Sequence, residues 1–172
     1  MIYEPEEDSY LLETYVKKLA KGKVLDMGTG SGIQAEAALA KANDVLAVDI
    51  GEEAVAFVKM KGIKTIQSNL FQKIKGKFDT IIFNPPYLPE DSQEDEESKR
   101  ITTGGKEGSE LLEKFLKQAK DHLDKKGQIL LVCSSLTGNV ESLFRKHGYQ
   151  WEKLEEKSFF FEKLNVYRLT LS

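Results

Sequence analysis

Residues 23–39 constrain the fold more than any other stretch, because a strand, a glycine-rich turn and a helix follow one another there without a gap. The strand is predicted over Lys23–Met27, and Gly28-Thr29-Gly30-Ser31-Gly32 forms the turn. In open α/β sheets this arrangement brings the backbone close to a small ligand. The turn is not a dinucleotide fingerprint, because Ile33 stands where the third glycine would fall, and no Lys-Ser or Lys-Thr pair follows for a phosphate-binding loop.

The rest of the chain alternates between strand-like and helix-like segments, which predicts an α/β fold with a mostly parallel sheet. Apolar runs bounded by turn residues predict strands at 23–27, 44–49, 64–67, 78–83, 128–133, 149–157 and 164–171. Helices are predicted from the acidic opening at 3–9 to Gly22, from the glycine turn to Leu39, over 52–60, over 109–123 with Gly127 closing it, and over 138–147. The last two strands are typical of an antiparallel hairpin, and the short, polar third strand suits a sheet edge. We therefore expect a Rossmann-like sheet of about seven strands with helices on both faces.

Composition limits the classes of protein to which the chain can belong. The 172 residues suit one domain, with a helix in residues 1–22 packing on it and an acidic loop at 88–108. The net charge of −3 and the pI of about 5.6 give no general attraction to nucleic acid or to an anionic membrane. No apolar run approaches the roughly 20 residues of a spanning helix, and the start has no signal-peptide pattern, so a cytoplasmic protein is expected. The single Cys133 excludes an internal disulfide and a cysteine-rich metal site, and no metal is expected.

Two aspartates stand at the ends of the first two predicted strands. Asp26 immediately precedes the glycine turn, where a carboxylate suits a ligand ammonium better than a pyrophosphate. Asp49 ends the second strand, where an acid can accept both hydroxyls of a ribose. The alternative for Asp49 is an N-cap for the helix Glu52–Met60. The ribose interpretation is favoured because the glycine turn and the acid occur as a set.

Asn84-Pro85-Pro86-Tyr87 follows the apolar strand 78–83 directly. The two prolines fix the backbone and remove two N–H donors, which leaves the Pro85 carbonyl without a competing donor beside it. Asn84 adds an amide that can accept and donate, and Tyr87 adds a flat aromatic face. These groups would form a receptor for a planar NH2 group, with two oxygens for its hydrogens and a ring for its plane. The alternative is a simple β-turn after a strand.

A third polar segment, Ser68-Asn69-Leu70-Phe71, follows the predicted third strand. A side chain and a backbone N–H placed there could read the edge of an adenine. Ligands of open α/β sheets bind at the carboxyl ends of the strands, near the point where the strand order reverses. Asp26, Asp49, Asn69 and Asn84 all lie at or just after such ends, so one crevice could hold all four.

These segments together resemble one known family. The residues that carry the resemblance are 24–32 (Val-Leu-Asp-Met-Gly-Thr-Gly-Ser-Gly), Asp49, 68–71, 84–87 and 104–108 (Gly-Gly-Lys-Glu-Gly). The chain resembles the class I S-adenosylmethionine-dependent methyltransferases and, more narrowly, the HemK-type protein glutamine N5-methyltransferases. Its opening, Tyr-Glu-Pro-Glu-Glu-Asp-Ser at 3–9, and the absence of an N-terminal helical domain are similar to the small archaeal and eukaryotic branch of that family.

The resemblance implies a seven-stranded class I methyltransferase sheet, S-adenosylmethionine as cofactor, and specific site residues. The cofactor-binding residues expected are Ser9, Asp26, Gly28, Thr29, Gly30, Asp49, Ile50, Asn69, Leu70 and Asn84. Asn84, Pro85 and Tyr87 are the expected catalytic and substrate-binding residues. The chain departs from the family at Asn69, where an aspartate is common. An asparagine keeps the acceptor oxygen for the adenine amino group, so cofactor binding should survive, although weakened.

The resemblance also implies a substrate and a partner. The substrate would be the glutamine of the Gly-Gly-Gln loop of a translation release factor, and the acidic residues 90–97 could attract basic residues around such a loop. Protein lysine and nucleic-acid adenine N6 stay open as alternative acceptors. A small zinc-binding activator subunit that pairs with the sheet edge would be the partner. A non-catalytic adaptor that binds through the third strand or the turn Phe159–Phe161 is a further alternative.

Overall fold

The computed structural model describes residues 2–86 and 108–172 of the protein. Tyr87, the acidic residues 90–97 and residues 104–107 of the last motif lie outside the described residues. The strands are β1 Lys23–Met27, β2 Asp44–Asp49, β3 Thr65–Gln67, β4 Phe78–Phe83, β5 Leu123–Ser134, β6 Tyr149–Ser158 and β7 Lys163–Leu171. The α-helices are α1 Glu7–Leu19, α2 Ile33–Ala38, α3 Glu52–Met60, α4 Glu110–Ala119 and α5 Val140–Lys146.

The seven strands form one sheet in the order β3-β2-β1-β4-β5-β7-β6. The five strands β1 to β5 are parallel, whereas β7 pairs antiparallel with β5 and β6 antiparallel with β7. The predicted α/β class, the edge position of β3 and the antiparallel C-terminal hairpin are thereby confirmed. The strand order reverses between β1 and β4, which is where ligands bind in open sheets of this kind.

The pairing of β1 with β4 brings the segments that follow these two strands side by side, at the point where the strand order reverses. Met27 pairs with Phe83 in the parallel register, so the chain leaves the sheet side by side at Gly28 and at Asn84. Adjacent strands lie about 4.8 Å apart. The glycine turn and the Asn-Pro-Pro segment are therefore neighbours, as expected from their positions at strand ends.

Helices cover both faces of the sheet, as predicted. Strand β5 contributes alternate side chains to the hydrophobic core on each face. Ile129, Leu131 and Cys133 point to one face, while Leu130 and Val132 point to the other. Helices α4 and α5 pack on the first face, and α1, α2 and α3 contribute buried residues to the second. In the two described ranges, no helix is long and apolar enough to cross a membrane.

Two predicted boundaries near Gly127 are wrong: the end of the fourth helix and the start of the fifth strand. The helix predicted over 109–123 ends at Ala119, and a 3-10 turn, Lys120–His122, follows it. Strand β5 then begins at Leu123, five residues earlier than predicted, so Gly127 lies within a strand and closes no helix. A Cβ at Gly127 would stand 2.8 Å from Leu123 Cδ1 and 3.0 Å from the carbonyl oxygen of Phe78. Close approach of β4 therefore explains this glycine.

The first helix is also shorter than predicted. It begins at Glu7 with two acids in its first turn and ends at Leu19, so Pro5 lies in the segment before the helix. Gly22 follows the helix in a left-handed conformation, with φ +63°. The backbone N–H of Lys23 donates to Asp79 Oδ2 at 2.8 Å, which ties the start of β1 to β4.

Candidate active site

The glycine turn is a tightly wound connection between β1 and α2. Gly28, Gly30 and Gly32 all have positive φ, which glycine adopts without the penalty that a side chain imposes. The Thr29 N–H donates to the Val48 carbonyl at 2.8 Å, so the turn is anchored to β2. A Cβ on Gly32 would stand 3.2 Å from Val58 Cγ2, so a larger residue would require Val58 to shift, and the φ of +87° would add backbone strain. The turn thus exposes backbone at the carboxyl end of β1.

Asp26, in β1, holds this turn through hydrogen bonds to its side chain. Its side chain is only 1% exposed, and Oδ2 accepts hydrogen bonds from Thr29 Oγ1 at 2.7 Å and from the Ala35 N–H at 3.1 Å. Burial raises the pKa of Asp26 to about 7, against the smaller lowering effect of these two donors. Asp26 therefore links β1, the turn and α2. Its direct contact with a ligand ammonium stays a prediction.

Asp49 connects the glycine turn with the chain that follows β2. Oδ2 accepts from the Gly30 N–H at 2.9 Å, and Oδ1 accepts from the Gly51 N–H at 2.8 Å. The N-cap residue of α3 is Gly51, so the alternative of Asp49 as that N-cap is wrong. A carboxylate has about four acceptor directions, and these bonds use two of them. The half-buried Asp49 keeps the capacity to accept the two hydroxyls of a ribose, with the exposed Ile50 beside it.

The segment after β3 is strained. Leu70 has φ +49°, and among the non-glycine residues of the described ranges it alone has a positive φ. The Ser68 hydroxyl donates to the Leu70 carbonyl at 2.9 Å and accepts from the Lys73 N–H at 3.0 Å, which holds the strained turn. Backbone strain of this kind persists where surrounding contacts enforce it and concentrates at binding sites. The turn leaves Asn69 exposed at the carboxyl edge of β3.

Asn84 and Pro85 leave the sheet above a packed aromatic layer. The Phe83 ring stacks on Phe115 with centroids 4.1 Å apart. Pro85 is buried and Asn84 is half-buried. The Asn84 side-chain nitrogen donates to Ser9 Oγ at 3.4 Å. Because the nitrogen faces Ser9, the acceptor that this amide offers elsewhere is its oxygen.

Ser9 is held by its own network. Asp8 is almost fully buried, and Tyr3 donates its hydroxyl hydrogen to the Asp8 carboxylate, whose oxygens lie at 2.8 and 3.0 Å. The Ser9 N–H donates to Asp8 Oδ1 at 2.8 Å, and Gln34 Nε2 donates to the Ser9 carbonyl at 2.9 Å. The sequence interpretation named Ser9 but missed Asp8 and Gln34. The concentration of Tyr3 and acids before a short helix was the one signal for Asp8, whereas nothing in the sequence pointed to Gln34.

The chemistry of these groups fits S-adenosylmethionine. The carboxyl ends of β1 to β4 present acceptors at Asp49, Asn69 and Asn84, and Gln34 Oε1 is a buried oxygen without a hydrogen-bond partner among the described residues. Such a set suits a ligand with an ammonium, ribose hydroxyls and an amino group.

Comparisons with known proteins identify relatives of this chain. Residues 6–161 match the family model of the methyltransferase small domain. The chain is 36% identical over 176 residues to "Putative protein N5-glutamine methyltransferase MJ0928" of Methanocaldococcus jannaschii, an alignment that covers 96% of this chain and 89% of that relative. It is 30% identical over 165 residues to "Methyltransferase HEMK2" of Mus musculus, over 84% of this chain and 76% of that relative. The chain spans about half the length of the bacterial release factor glutamine methyltransferases that it also matches.

A solved structure extends the likeness to the whole fold. The complex of E. cuniculi Mtq2 with Trm112, described as responsible for the methylation of the eRF1 translation termination factor, superimposes with a TM-score of 0.82, at 24% sequence identity and over 99% of both chains. With a family match over residues 6–161 and a relative that is 36% identical over 96% of this chain, the chain belongs to the methyltransferase small domain family, among the HemK-type class I methyltransferases.

Proposed function

We propose that the protein transfers a methyl group from S-adenosylmethionine to the side-chain amide nitrogen of a glutamine, in the Gly-Gly-Gln loop of a translation release factor. The observation that carries the proposal is the adjacency of Gly28 and Asn84 at the ends of paired strands. This adjacency sets a receptor for an NH2 group beside the turn that suits the methyl donor. The names of the archaeal and bacterial relatives support glutamine as the acceptor.

Asn84 and Pro85 would orient the acceptor nitrogen. A glutamine amide is a poor nucleophile because its nitrogen lone pair is delocalised into the carbonyl group. The Asn84 side-chain oxygen and the Pro85 carbonyl can each accept one of its two N–H hydrogens, which turns the nitrogen toward the donor. Holding two reactants in line can supply roughly 7–11 kcal/mol of the barrier. The same oxygens stabilise positive charge that develops on the nitrogen.

The other side of the crevice would hold the cofactor, which supplies an electrophilic sulfonium methyl group when it is bound. Asp49 would accept the ribose hydroxyls with its two remaining acceptor directions, while its bonds to Gly30 and Gly51 keep the carboxylate fixed. Asn69 would accept from the adenine amino group, and the Leu70 N–H would donate to the ring. Asp26 would shape the turn on the side of the ammonium through its hydrogen bonds to Thr29 and Ala35.

A protein acceptor agrees better with the charge of this chain than a nucleic acid does. Proteins that bind nucleic acid gain most of their affinity from basic residues that contact phosphates. This chain has a net charge of −3, and the half-buried Asp49 lies in the described part of the crevice. Adenine N6 is therefore the weaker alternative. Lysine stays a competing acceptor, since the same oxygens can hold an amine.

We also propose that a small activator subunit, the partner that the family resemblance implies, adds a strand to β3. The E. cuniculi Mtq2 structure is likewise a complex with a second protein, Trm112. The other sheet edge, β6, carries many charges and an irregularity between Lys153 and Glu155, features that protect an edge strand. Beside β3, helix α3 exposes Phe57 at 41% and Met60 at 89%. An uncharged edge flanked by exposed apolar side chains suits addition of a strand from a partner.

The decisive experiment is mass spectrometry of a recombinant release factor, a lysine-bearing peptide and an adenine-containing DNA after incubation with the protein and S-adenosylmethionine, with and without the activator subunit. We expect one methyl group on the glutamine of the release factor. Asn84→Ala should abolish methyl transfer and leave S-adenosylmethionine affinity within a few-fold. The control is Asn43→Ala, which truncates an exposed asparagine away from the crevice and should leave methyl transfer unchanged. A methyl group on lysine or adenine alone would reject glutamine as the acceptor.

A further inference from the structure

Two phenylalanines stand out of the surface in the turn between β6 and β7. Phe160 is 91% exposed and Phe161 82%, and their rings contact each other edge to face with centroids 4.5 Å apart. Their neighbour Phe159 behaves differently, because it packs against the core on the α1 face of the sheet. One phenylalanine therefore anchors the turn, and the next two present an apolar pair to solvent.

The turn that carries this pair is held firmly. The Phe159 N–H donates to the Glu162 carbonyl at 2.7 Å, and the Ser134 hydroxyl donates to the Glu162 carboxylate. The Lys163 N–H donates to Ser135 Oγ at 2.9 Å. These bonds fasten the turn to the end of β5, so Phe160 and Phe161 lose little backbone freedom when something packs on them.

Sheet topology places the pair at the same end of the sheet as the active site, the end where the parallel strands finish. Ser134, the last residue of β5, pairs with Leu164 at the start of β7, so the turn lies beyond the carboxyl ends of the parallel strands. Asn84 leaves the same edge from β4, and β5 and β7 lie between it and β6. Two to three strand spacings correspond to about 10–15 Å. Lys157 Nζ lies 3.5 Å from a carboxylate oxygen of Glu7, which puts the start of α1 beside the turn.

We infer that Phe160 and Phe161 form a docking surface for the protein substrate, packing against an apolar patch of that substrate beside the residue to be methylated. The inference rests on the proposed function, because it takes the acceptor to be a side chain on a folded protein. Aromatic side chains in firm positions are typical anchors of protein interfaces. A substrate that inserts a loop at Asn84 must already cover this edge of the sheet, and the two rings extend that contact.

Other occupants suit the pair less well. An anionic membrane prefers apolar side chains flanked by basic residues, whereas Glu7 and Glu162 lie here as near as Lys157 and Lys163. A second copy of the chain would need an interface of about 800 Å² per partner. Two phenylalanines supply about 300–500 Å² at most, so they suit one part of a larger interface. The crevice provides the remainder.

The test compares Phe160→Ala/Phe161→Ala with the unmodified protein on two substrates, an intact release factor and a five-residue peptide centred on its glutamine. The peptide extends only about 7 Å to either side of the glutamine, too short to reach the rings. We expect KM for the intact factor to rise tenfold or more at nearly constant kcat, and kcat/KM for the peptide to change less than twofold. The control is Leu39→Ala, which truncates an apolar side chain that is 47% exposed. Leu39 follows α2, near the end of the sheet where the parallel strands begin, opposite the active site.

The outcomes separate this inference from the proposed function. An unchanged KM for the intact factor, with the unmodified protein methylating that factor, would overturn the docking surface and leave the function standing. Equal losses on factor and peptide would also overturn it, because they would indicate damage to the crevice, which S-adenosylmethionine affinity and Tm would register. If the unmodified protein methylates neither substrate, with or without the activator subunit, both proposals fail. A change from dimer to monomer on gel filtration without a change in KM would assign the rings to self-association instead.

Discussion

The side-chain nitrogen of Asn84 lies 3.4 Å from the hydroxyl oxygen of Ser9, across a sequence separation of 75 residues. Tyr3 and Asp8 fix Ser9 from the other side. The acidic opening of the chain therefore does more than begin a helix, because it orients the amide on which the proposed methyl transfer depends.

Ser9→Ala removes the acceptor for the Asn84 nitrogen and should free the amide to rotate. One hydrogen bond contributes about 0.5–1.5 kcal/mol, so we expect single-turnover methyl transfer to slow by roughly three- to tenfold. Ser9→Thr retains the hydroxyl and should remain close to the unmodified rate. If the alanine and threonine variants transfer at the same rate, the contact does not orient Asn84.

Asp26→Asn should change how stability depends on pH. Burial raises the pKa of Asp26 from its ordinary value of 3.8 to about 7, so between these values the folded protein holds a proton that the unfolded chain has lost. The folded state therefore loses stability relative to the asparagine variant as pH rises from about 4 through 7, by on the order of 4 kcal/mol.

Urea unfolding of both proteins between pH 4 and pH 8 measures this difference. The control is Asp44→Asn, which removes an exposed carboxylate at the start of β2. Parallel pH curves for the unmodified protein and the Asp26 variant would contradict the buried, protonated state of Asp26.

Asn69→Asp should tighten cofactor binding by about three- to tenfold, because a hydrogen bond to a charged acceptor is stronger than one to an amide oxygen. Isothermal titration with S-adenosylmethionine measures the change. Gln72→Glu adds the same charge at an exposed position three residues further on, and it separates a local contact from a general electrostatic effect. Equal gains from both variants would argue against contact between Asn69 and the adenine.

Gly22→Ala and Gly62→Ala form a matched pair for stability. Both glycines have positive φ, at +63° and +82°, so each alanine incurs about 1–2 kcal/mol of backbone strain. At Gly22 the new Cβ would also fall 2.2 Å from Asp79 Oδ2, whereas at Gly62 nothing lies within 4 Å. We expect Gly22→Ala to cost about 1–3 kcal/mol more than Gly62→Ala in the free energy of unfolding. Equal losses would mean that Asp79 moves away freely.

Much of the sheet was predictable because its strands are short apolar runs that end at glycine, proline or an acid. The bounds of β1, β2, β4 and α3 agree with the prediction residue for residue. The start of β5 was not predictable, because Asp-Lys-Lys-Gly has the composition of a turn. Leu123 pairs with Phe78 and Gln128 with Thr80, so residues 124–127 form an irregularity in the ladder between these two pairs. The positions of Asp26, Asp49, Asn69 and Asn84 at strand ends followed from the same apolar runs.

Local propensity and the period of the apolar residues were enough to predict the α/β class, the order of the strands along the chain and the polar residues that follow them. Three relationships came from the folded chain instead: Asn84 faces Ser9, Gln34 reaches the Ser9 carbonyl, and Phe159 is packed while Phe160 and Phe161 are exposed. These relationships join residues that are far apart in the chain, or they give adjacent residues of the same type different environments. They arise from strand register and from the direction in which each backbone segment leaves the sheet, which no local pattern encodes.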